Sequence, residues 1–376
     1  MTTPISRRTI LKGLGAKVHH EGDTVVVDPK GVENPVLTYK LVSTMRGSIC
    51  FLGPCLARFG RAQVSFPGGC VIGSRPIDLH LKGVRSLGAE ISLDHGYVIA
   101  KTKKLKGGRV YLGGAYGSSV LGTANVMMAA TLAKGRTVID NAACEPEVVD
   151  LGNFLRKMGA RIEGLGSPSI EIEGVKKLNG ATYSIISDRI EAGTYMIASA
   201  ITKGDVTVKN ANLGVLAAML DKLREAGVVV TEKNGMARVR RQGNLKPISV
   251  TTLPYPGYPT DLQAQMMALM CVVPGISVIT EKIYPERFMH VSELNRMGAG
   301  IMLEGPSAIV SGKKSLSGAP VMASDLRASA ALVLAGLVAE GTTEISRVYH
   351  LDRGYENLVA KLGKLGAKIR REKEVK

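Results

Sequence analysis

Apolar residues recur at helix spacing just before a short glycine phrase, and at strand spacing just after it. In Val148-Val149, Leu151, Phe154-Leu155 and Met158 they share one helix face. Gly159 follows, and Ile170-Glu171-Ile172 then alternates as a half-buried strand does. The phrase occurs six times, with its glycine at 15, 88, 159, 227, 298 and 366, at steps of 73, 71, 68, 71 and 68 residues. A glycine there suits the left-handed residue that closes a helix, where any other side chain is strained. Small-residue helices are predicted upstream at 125–134, 193–203 and 328–340, followed by strands at 136–140, 206–208 and 343–346. One unit therefore reads strand, helix, strand, helix, strand, strand. At roughly 70 residues it is a small α/β module that needs neighbours to cover its apolar faces.

Only 14 residues precede the first phrase glycine, where later copies have about 50 or more. The first unit is thus expected to be incomplete, with some 45 residues of it lying further upstream. Ser6-Arg7-Arg8-Thr9-Ile10-Leu11-Lys12 imitates a twin-arginine signal, but no apolar run follows. No stretch reaches the ~18–20 apolar residues of a membrane-spanning helix.

Composition changes the picture in two ways. Lys plus Arg is 49 against 32 for Asp plus Glu, a formal charge of +17, which favours anionic partners. Trp is absent and there are 5 Phe and 11 Tyr, so stacking platforms for single-stranded nucleic acid are scarce. The basic clusters at 101–109, 238–241 and 368–376 are expected to be solvated loops and a frayed end. The five cysteines show no C-x-x-C pair, so neither a disulfide framework nor a zinc site is expected, and a reducing cytoplasm fits.

The densest chemistry lies in Phe66-Pro67-Gly68-Gly69-Cys70-Val71-Ile72-Gly73-Ser74-Arg75-Pro76-Ile77-Asp78-Leu79-His80. A cysteine in a Gly/Pro loop near Arg75 is either a reactive thiol favoured as thiolate, or a small packed residue in a turn. Cys50, Cys55, Cys144 and Cys271 read as core or incidental. His80 and His19-His20 read as surface or supporting residues, not metal ligands. Arg46, Arg287, Arg327 and Arg353 sit where a core would not want them, at repeat edges and helix starts that suit phosphate or carboxylate groups. Asp261, in Tyr258-Pro259-Thr260-Asp261-Leu262-Gln263, is either a helix N-cap or a carboxylate base.

These motifs resemble the UDP-N-acetylglucosamine 1-carboxyvinyltransferase family of enolpyruvyl transferases. The resemblance runs from about residue 9 to 370. It rests on Pro67-Gly68-Gly69-Cys70 with Arg75-Pro76, on Pro259–Gln265, on Arg287-Phe288-Met289-His290, on Asp325-Leu326-Arg327-Ala328, and on Tyr349–Tyr355. The sister 3-phosphoshikimate enzymes lack the cysteine loop. The resemblance implies an inside-out α/β barrel fold in two domains, 1–185 and 186–376, built from six βαβαββ repeats, three to each domain, with the active site between them. It implies transfer of the enolpyruvyl group of phosphoenolpyruvate to the 3′-hydroxyl of UDP-N-acetylglucosamine, the first committed step of peptidoglycan precursor synthesis. Neither metal nor cofactor is implied, and neither nucleic acid nor membrane is a partner.

Carried over residue by residue, Cys70 is the general acid and fosfomycin target, and Asp261 contacts the 3′-hydroxyl as candidate base. Arg75, Arg327 and Arg353 gather around phosphoenolpyruvate, Arg353 among the catalytic residues. Arg46 lines the nucleotide-sugar site, and Arg287 is counted with the substrate-binding residues. Arg75, Pro76, Ile77, Asp78 and Leu79 hold the uridine together with Ser118, Ser119 and Val120. Ile283 offers a backbone contact. The family's Gly-Lys-Asn-Ala run, whose Lys-Asn pair grips phosphoenolpyruvate, has no counterpart in the chain. Alternative readings therefore stay open at this point: an inactive homologue that only binds the nucleotide sugar, a 3-phosphoshikimate enzyme, or a nucleic-acid-binding repeat protein.

Overall fold

The computed structural model describes residues 7–42, 45–66 and 77–372. These form two compact units, one ending at Ile186 and the other beginning at Ser187.

All six phrase glycines are left-handed, with φ of 102°, 88°, 103°, 98°, 86° and 97° in chain order. Each follows a helix that ends two residues earlier: Arg7–Gly13, Asp78–Ser86, Pro146–Lys157, Ala217–Glu225, His290–Arg296 and Leu358–Lys364. In five phrases the glycine N–H donates three residues back and the next N–H five back. Gly159 thus bonds the Arg156 carbonyl and Ala160 the Leu155 carbonyl, both at 2.9 Å. This Schellman closure satisfies carbonyls that the helix end leaves open.

Three repeats build the same four-stranded sheet. Val36–Leu37, Arg61–Ser65, Tyr97–Lys101 and Glu90–Asp94 lie in that spatial order, the first pair parallel and the others antiparallel. Arg109–Tyr111, Arg136–Asp140, Ser169–Glu173 and Arg161–Glu163 reproduce it in the same unit. Ser249–Thr251, Gly275–Thr280, Ser307–Gly312 and Gly300–Glu304 reproduce it in the second. Two repeats depart from the expected unit. The fourth forms a sheet of three strands, with no strand ahead of its first helix, and residues 367–372 after the last helix form none.

The central helices explain why the fold is inside-out. Gln263–Met270 is buried at every residue, and Leu326–Gly336 at the nine from Arg327 to Ala335. Arg189–Ile201 is buried at most positions, and these three helices pack on one another. A helix without a polar face belongs in a core. The sheets instead alternate, as Ser307–Gly312 does, with one face inward and one outward. Helices fill the interior and sheets cover it.

The central helices also start earlier than expected, at Val120, Arg189 and Leu326. Ser119, Asp188 and Asp325 cap them by accepting from backbone N–H groups, and so extend each helix toward its N-terminus. Residues 238–241 are not loop: they close the strand Met236–Arg241, and Arg238 Nε donates to Asp205 Oδ1 at 2.8 Å. No helix among the described residues is long and apolar enough to cross a membrane.

In the first unit, Leu52–Phe59 crosses Val120–Ala130 closely. Gly53 permits the crossing, since a Cβ there would lie 2.2 Å from the Asn125 carbonyl oxygen. Asn125 seals it. Its Oδ1 accepts from Gly53 N–H at 2.6 Å, its Nδ2 donates to the Ile49 carbonyl at 3.0 Å, and Nδ2 lies 3.0 Å from His80 Nδ1. His80, read from sequence as surface or supporting, is buried in this network.

Candidate active site

The second unit carries an ionic cluster. Pro259 is extended, and Thr260–Leu262 forms a 3₁₀ turn that runs into the helix Gln263–Met270. Asp261 therefore caps no helix. Its Oδ1 accepts from Arg287 Nη1 at 2.7 Å and its Oδ2 from Arg327 Nη2 at 3.1 Å. The two arginine side chains are 7% and 9% exposed, while that of Asp261 is 39% exposed. Arg287 and Arg327, expected outside the core, are buried behind a carboxylate that shows an open edge. Burial alone would raise the Asp261 pKa. The charges of Arg327 and Arg287 outweigh it and hold the carboxyl well below the usual carboxylate range. Asp261 is thus an anionic hydrogen-bond acceptor across the physiological range.

Asp325 fixes both arginines. Its Oδ1 accepts from the backbone N–H of Arg327 at 2.7 Å and of Ala328 at 3.1 Å, and it lies 4.0 Å from Arg287 Nη2. The Arg327 guanidinium stands over the Tyr355 ring at 5.3 Å. Tyr355 Oη is 2.9 Å from Thr194 Oγ1, and Gln265 Nε2 reaches Tyr355, Thr194 and the Asp261 carbonyl at 2.9 to 3.2 Å. Arg327 keeps two buried N–H groups, Nε and Nη1, without an acceptor among the described residues. Nearby, burial pushes the His290 imidazole down to about 4, so it is neutral at pH 7.

Arg353 ends the 3₁₀ helix Val348–Arg353 and is exposed. The next residue, Gly354, packs on Leu326, since a Cβ there would lie 2.7 Å from Leu326 Cδ2. Arg353 is thereby anchored beside the start of the Arg327 helix. Ile283 donates its N–H to Glu281 Oε1 at 2.8 Å, so a backbone contact to a ligand falls to its carbonyl.

The first unit gathers the residues assigned to the uridine. Ile77 is buried, Asp78 opens the helix Asp78–Ser86 and is exposed, and Leu79 is half-buried. Leu79 lies against the segment that carries Ser118, Ser119 and Val120, since a Cβ on Gly114 or Gly122 would meet it at 3.2 or 3.8 Å. Ser119 Oγ is engaged as a cap, accepting from Gly122 N–H at 3.1 Å. Arg46 begins the 3₁₀ helix Arg46–Phe51. Cys70, Arg75 and Pro76 lie outside the described residues. Cys55 and Cys271 are buried, and burial pushes both thiols up to about 12, as suits core residues. Among the described residues no group of three His, Cys, Asp or Glu side chains gathers as a metal site.

Sequence reasoning missed Glu281. It is fully buried, and no motif marks it. Sequence reasoning also missed the caps Ser119 and Asp325, although a short polar residue just before an apolar run is the signal that could have found them.

The family described as EPSP synthase (3-phosphoshikimate 1-carboxyvinyltransferase) matches residues 6–362. A UDP-N-acetylglucosamine 1-carboxyvinyltransferase of Desulfosudis oleivorans is 57% identical over 366 residues, covering 97% of this chain and 87% of that protein. The enzyme of that name from Geotalea uraniireducens is 56% identical over 365 residues, with the same coverage. Among solved structures, the enolpyruvyl transferase NikO from Streptomyces tendae matches with a TM-score of 0.85 at 25% identity, covering 96% of this chain and 86% of that one. EPSP synthase from Acinetobacter baumannii shares the fold, with a TM-score of 0.68 at 18% identity over 95% of this chain and 86% of that one.

Proposed function

We propose a function from one premise: the chain belongs to the EPSP synthase family of enolpyruvyl transferases, on the branch of the UDP-N-acetylglucosamine 1-carboxyvinyltransferases. It transfers the enolpyruvyl group of phosphoenolpyruvate to the 3′-hydroxyl of UDP-N-acetylglucosamine and releases phosphate, opening peptidoglycan precursor synthesis. Soluble anionic substrates fit a cytoplasmic reaction.

Addition and elimination set three requirements. The methylene carbon of phosphoenolpyruvate takes a proton while the sugar oxygen attacks the neighbouring carbon. A methyl proton then leaves with phosphate, restoring the double bond. The steps need a proton donor, an acceptor for the hydroxyl hydrogen, and cations for the phosphate and carboxylate.

The observation that carries the reading is the half-exposed Asp261 backed by buried Arg287 and Arg327. Its low pKa makes it a weak base for a resting hydroxyl. It suits a group that orients the 3′-hydroxyl and takes its hydrogen as the oxygen loses electron density. The fixed positive charge of the Arg327 guanidinium suits an anionic substrate group. Arg327 and Arg353 are assigned to phosphoenolpyruvate, with Arg75 and Cys70 contributing from the loop. Arg46, Ile77, Asp78, Leu79, Ser118, Ser119, Val120 and Ile283 are assigned to the nucleotide sugar.

Phosphate release from phosphoenolpyruvate tests this reading. Release should require UDP-N-acetylglucosamine, and Asp261→Asn should lower kcat by about 10²–10⁴ with the fold retained. Release driven by 3-phosphoshikimate instead, or full activity in Asp261→Asn, would overturn it. Nucleotide-sugar binding with no turnover would leave a binding protein in its place.

A further inference from the structure

Glu281 is a carboxylate with no exposed surface and no Lys or Arg nitrogen paired to it among the described residues. Such a group must be satisfied by hydrogen bonds or cost several kcal/mol. It has four. Oε1 accepts from Thr252 Oγ1 at 2.6 Å, Ile283 N–H at 2.8 Å and Tyr284 N–H at 3.0 Å. Oε2 accepts from Thr260 Oγ1 at 2.8 Å.

Sheet register creates the arrangement. Ser249–Thr251 and Gly275–Thr280 are parallel neighbours with Thr251 opposite Thr280. Thr252 and Glu281 are therefore the first residues past the ends of two aligned strands. Thr252 N–H donates to the Thr280 carbonyl at 2.9 Å, and its Oγ1 accepts from Lys282 N–H at 3.0 Å. The 281–284 turn is thus pinned at both strands.

The second oxygen leads elsewhere. Thr260 Oγ1 accepts from Arg287 Nη1 at 3.0 Å, and the same nitrogen donates to Asp261 Oδ1 at 2.7 Å. A hydroxyl has one proton. Because the guanidinium can only donate, that proton points to Glu281. From Arg287 the bonds run outward both ways, through Thr260 to Glu281 and directly to Asp261.

We propose that Glu281 is a positioning residue that ties the Ile283 turn, on the nucleotide-sugar side, to the Asp261 carboxylate through Thr260 and Arg287. This rests on the transferase reading above, in which Ile283 and Asp261 meet the same sugar. Oε1 holds the turn where the sugar binds. Oε2 sets the Thr260 hydroxyl, which sets Arg287 and so the direction in which Asp261 faces the 3′-hydroxyl.

The two oxygens can be separated by mutation. Glu281→Gln keeps one acceptor oxygen for the turn and puts an NH₂ opposite Thr260, which blocks its proton. Thr260→Val removes the same link from the other side. Each should lower kcat about tenfold with KM for UDP-N-acetylglucosamine within about twofold, and the double variant should be no worse than either single one. Multiplying losses, or unchanged kcat in both variants, would overturn the link. Amide hydrogen exchange of the free protein gives a readout without substrates. Glu281→Ala should deprotect Ile283 and Tyr284, while Thr260→Val should leave them protected. Equal protection in Glu281→Ala and wild type would overturn the proposal. A wild-type chain that releases no phosphate would defeat the transferase reading, while the exchange result would still decide whether Glu281 holds the turn.

Discussion

The two units solve one packing problem with different chemistry. Asn125 lies 34 residues before Gly159, and Gln265 lies 33 before Gly298, so both amides occupy nearly the same turn of a central helix. Each bonds across to the neighbouring central helix: Asn125 to Gly53, Gln265 to Thr194. In the first unit the network around that amide is Gly53, Ile49 and His80. In the second it continues into Asp261, Arg287, Arg327 and Asp325. An amide in a core fixes which helices meet and at what register. Buried ions do no better at that task than apolar residues, since desolvation offsets most of their attraction. The proposed transferase reading gives the charges of the second unit a task that the neutral network of the first does not share.

The largest test of this contrast removes charge from the second unit. Arg327→Met keeps the helix cap, which comes from Asp325 to the backbone. It should abolish phosphate release, by a factor of about 10³ or more, while circular dichroism stays native. Unfolding of that variant would make the arginine structural. In the first unit the test is Asn125→Leu. It strands the buried Gly53 N–H and Ile49 carbonyl and should cost about 2–4 kcal/mol. Hydrogen exchange should show the loss in residues up to 186, and an unchanged urea midpoint would refute it.

A third test uses pH. His290 is held down to about 4 by burial, while an unfolded histidine titrates near ~6.5. Between those values the unfolded chain binds more protons. The second unit should therefore lose up to about 3 kcal/mol as pH falls from about 6.5 to about 4, and keep that stability above 6.5. His290→Gln should flatten the slope, and an unaltered slope would point to another group. The smallest effect should come from the feature both units share. Gly159→Ala and Gly298→Ala should each cost about 1 kcal/mol, equally in the two units, because both are helix-closing left-handed residues.

The fold was legible where a local conformation demanded one residue type. Glycine at six left-handed positions announced the repeat, whereas the helix starts set by Ser119 and Asp325 went unread. The site was legible only in outline. Arg287 and Arg327 read as exposed because a single chain position does not reveal a carboxylate that meets it from 26 or 66 residues away. Glu281 was invisible for the same reason. Its partners Thr252 and Thr260 come from two other segments, and only the strand register of Thr251 and Thr280 brings them together.

Placing helices inside and sheets outside has an evolutionary consequence. In most α/β proteins the sheet is the conserved heart and the helices vary over it. Here a wholly buried helix such as Gln263–Met270 has no free face to vary, while each covering strand offers every second residue to drift. Lineages descended from one such ancestor should diverge first on the strands, and keep the buried helix positions long after most others have changed.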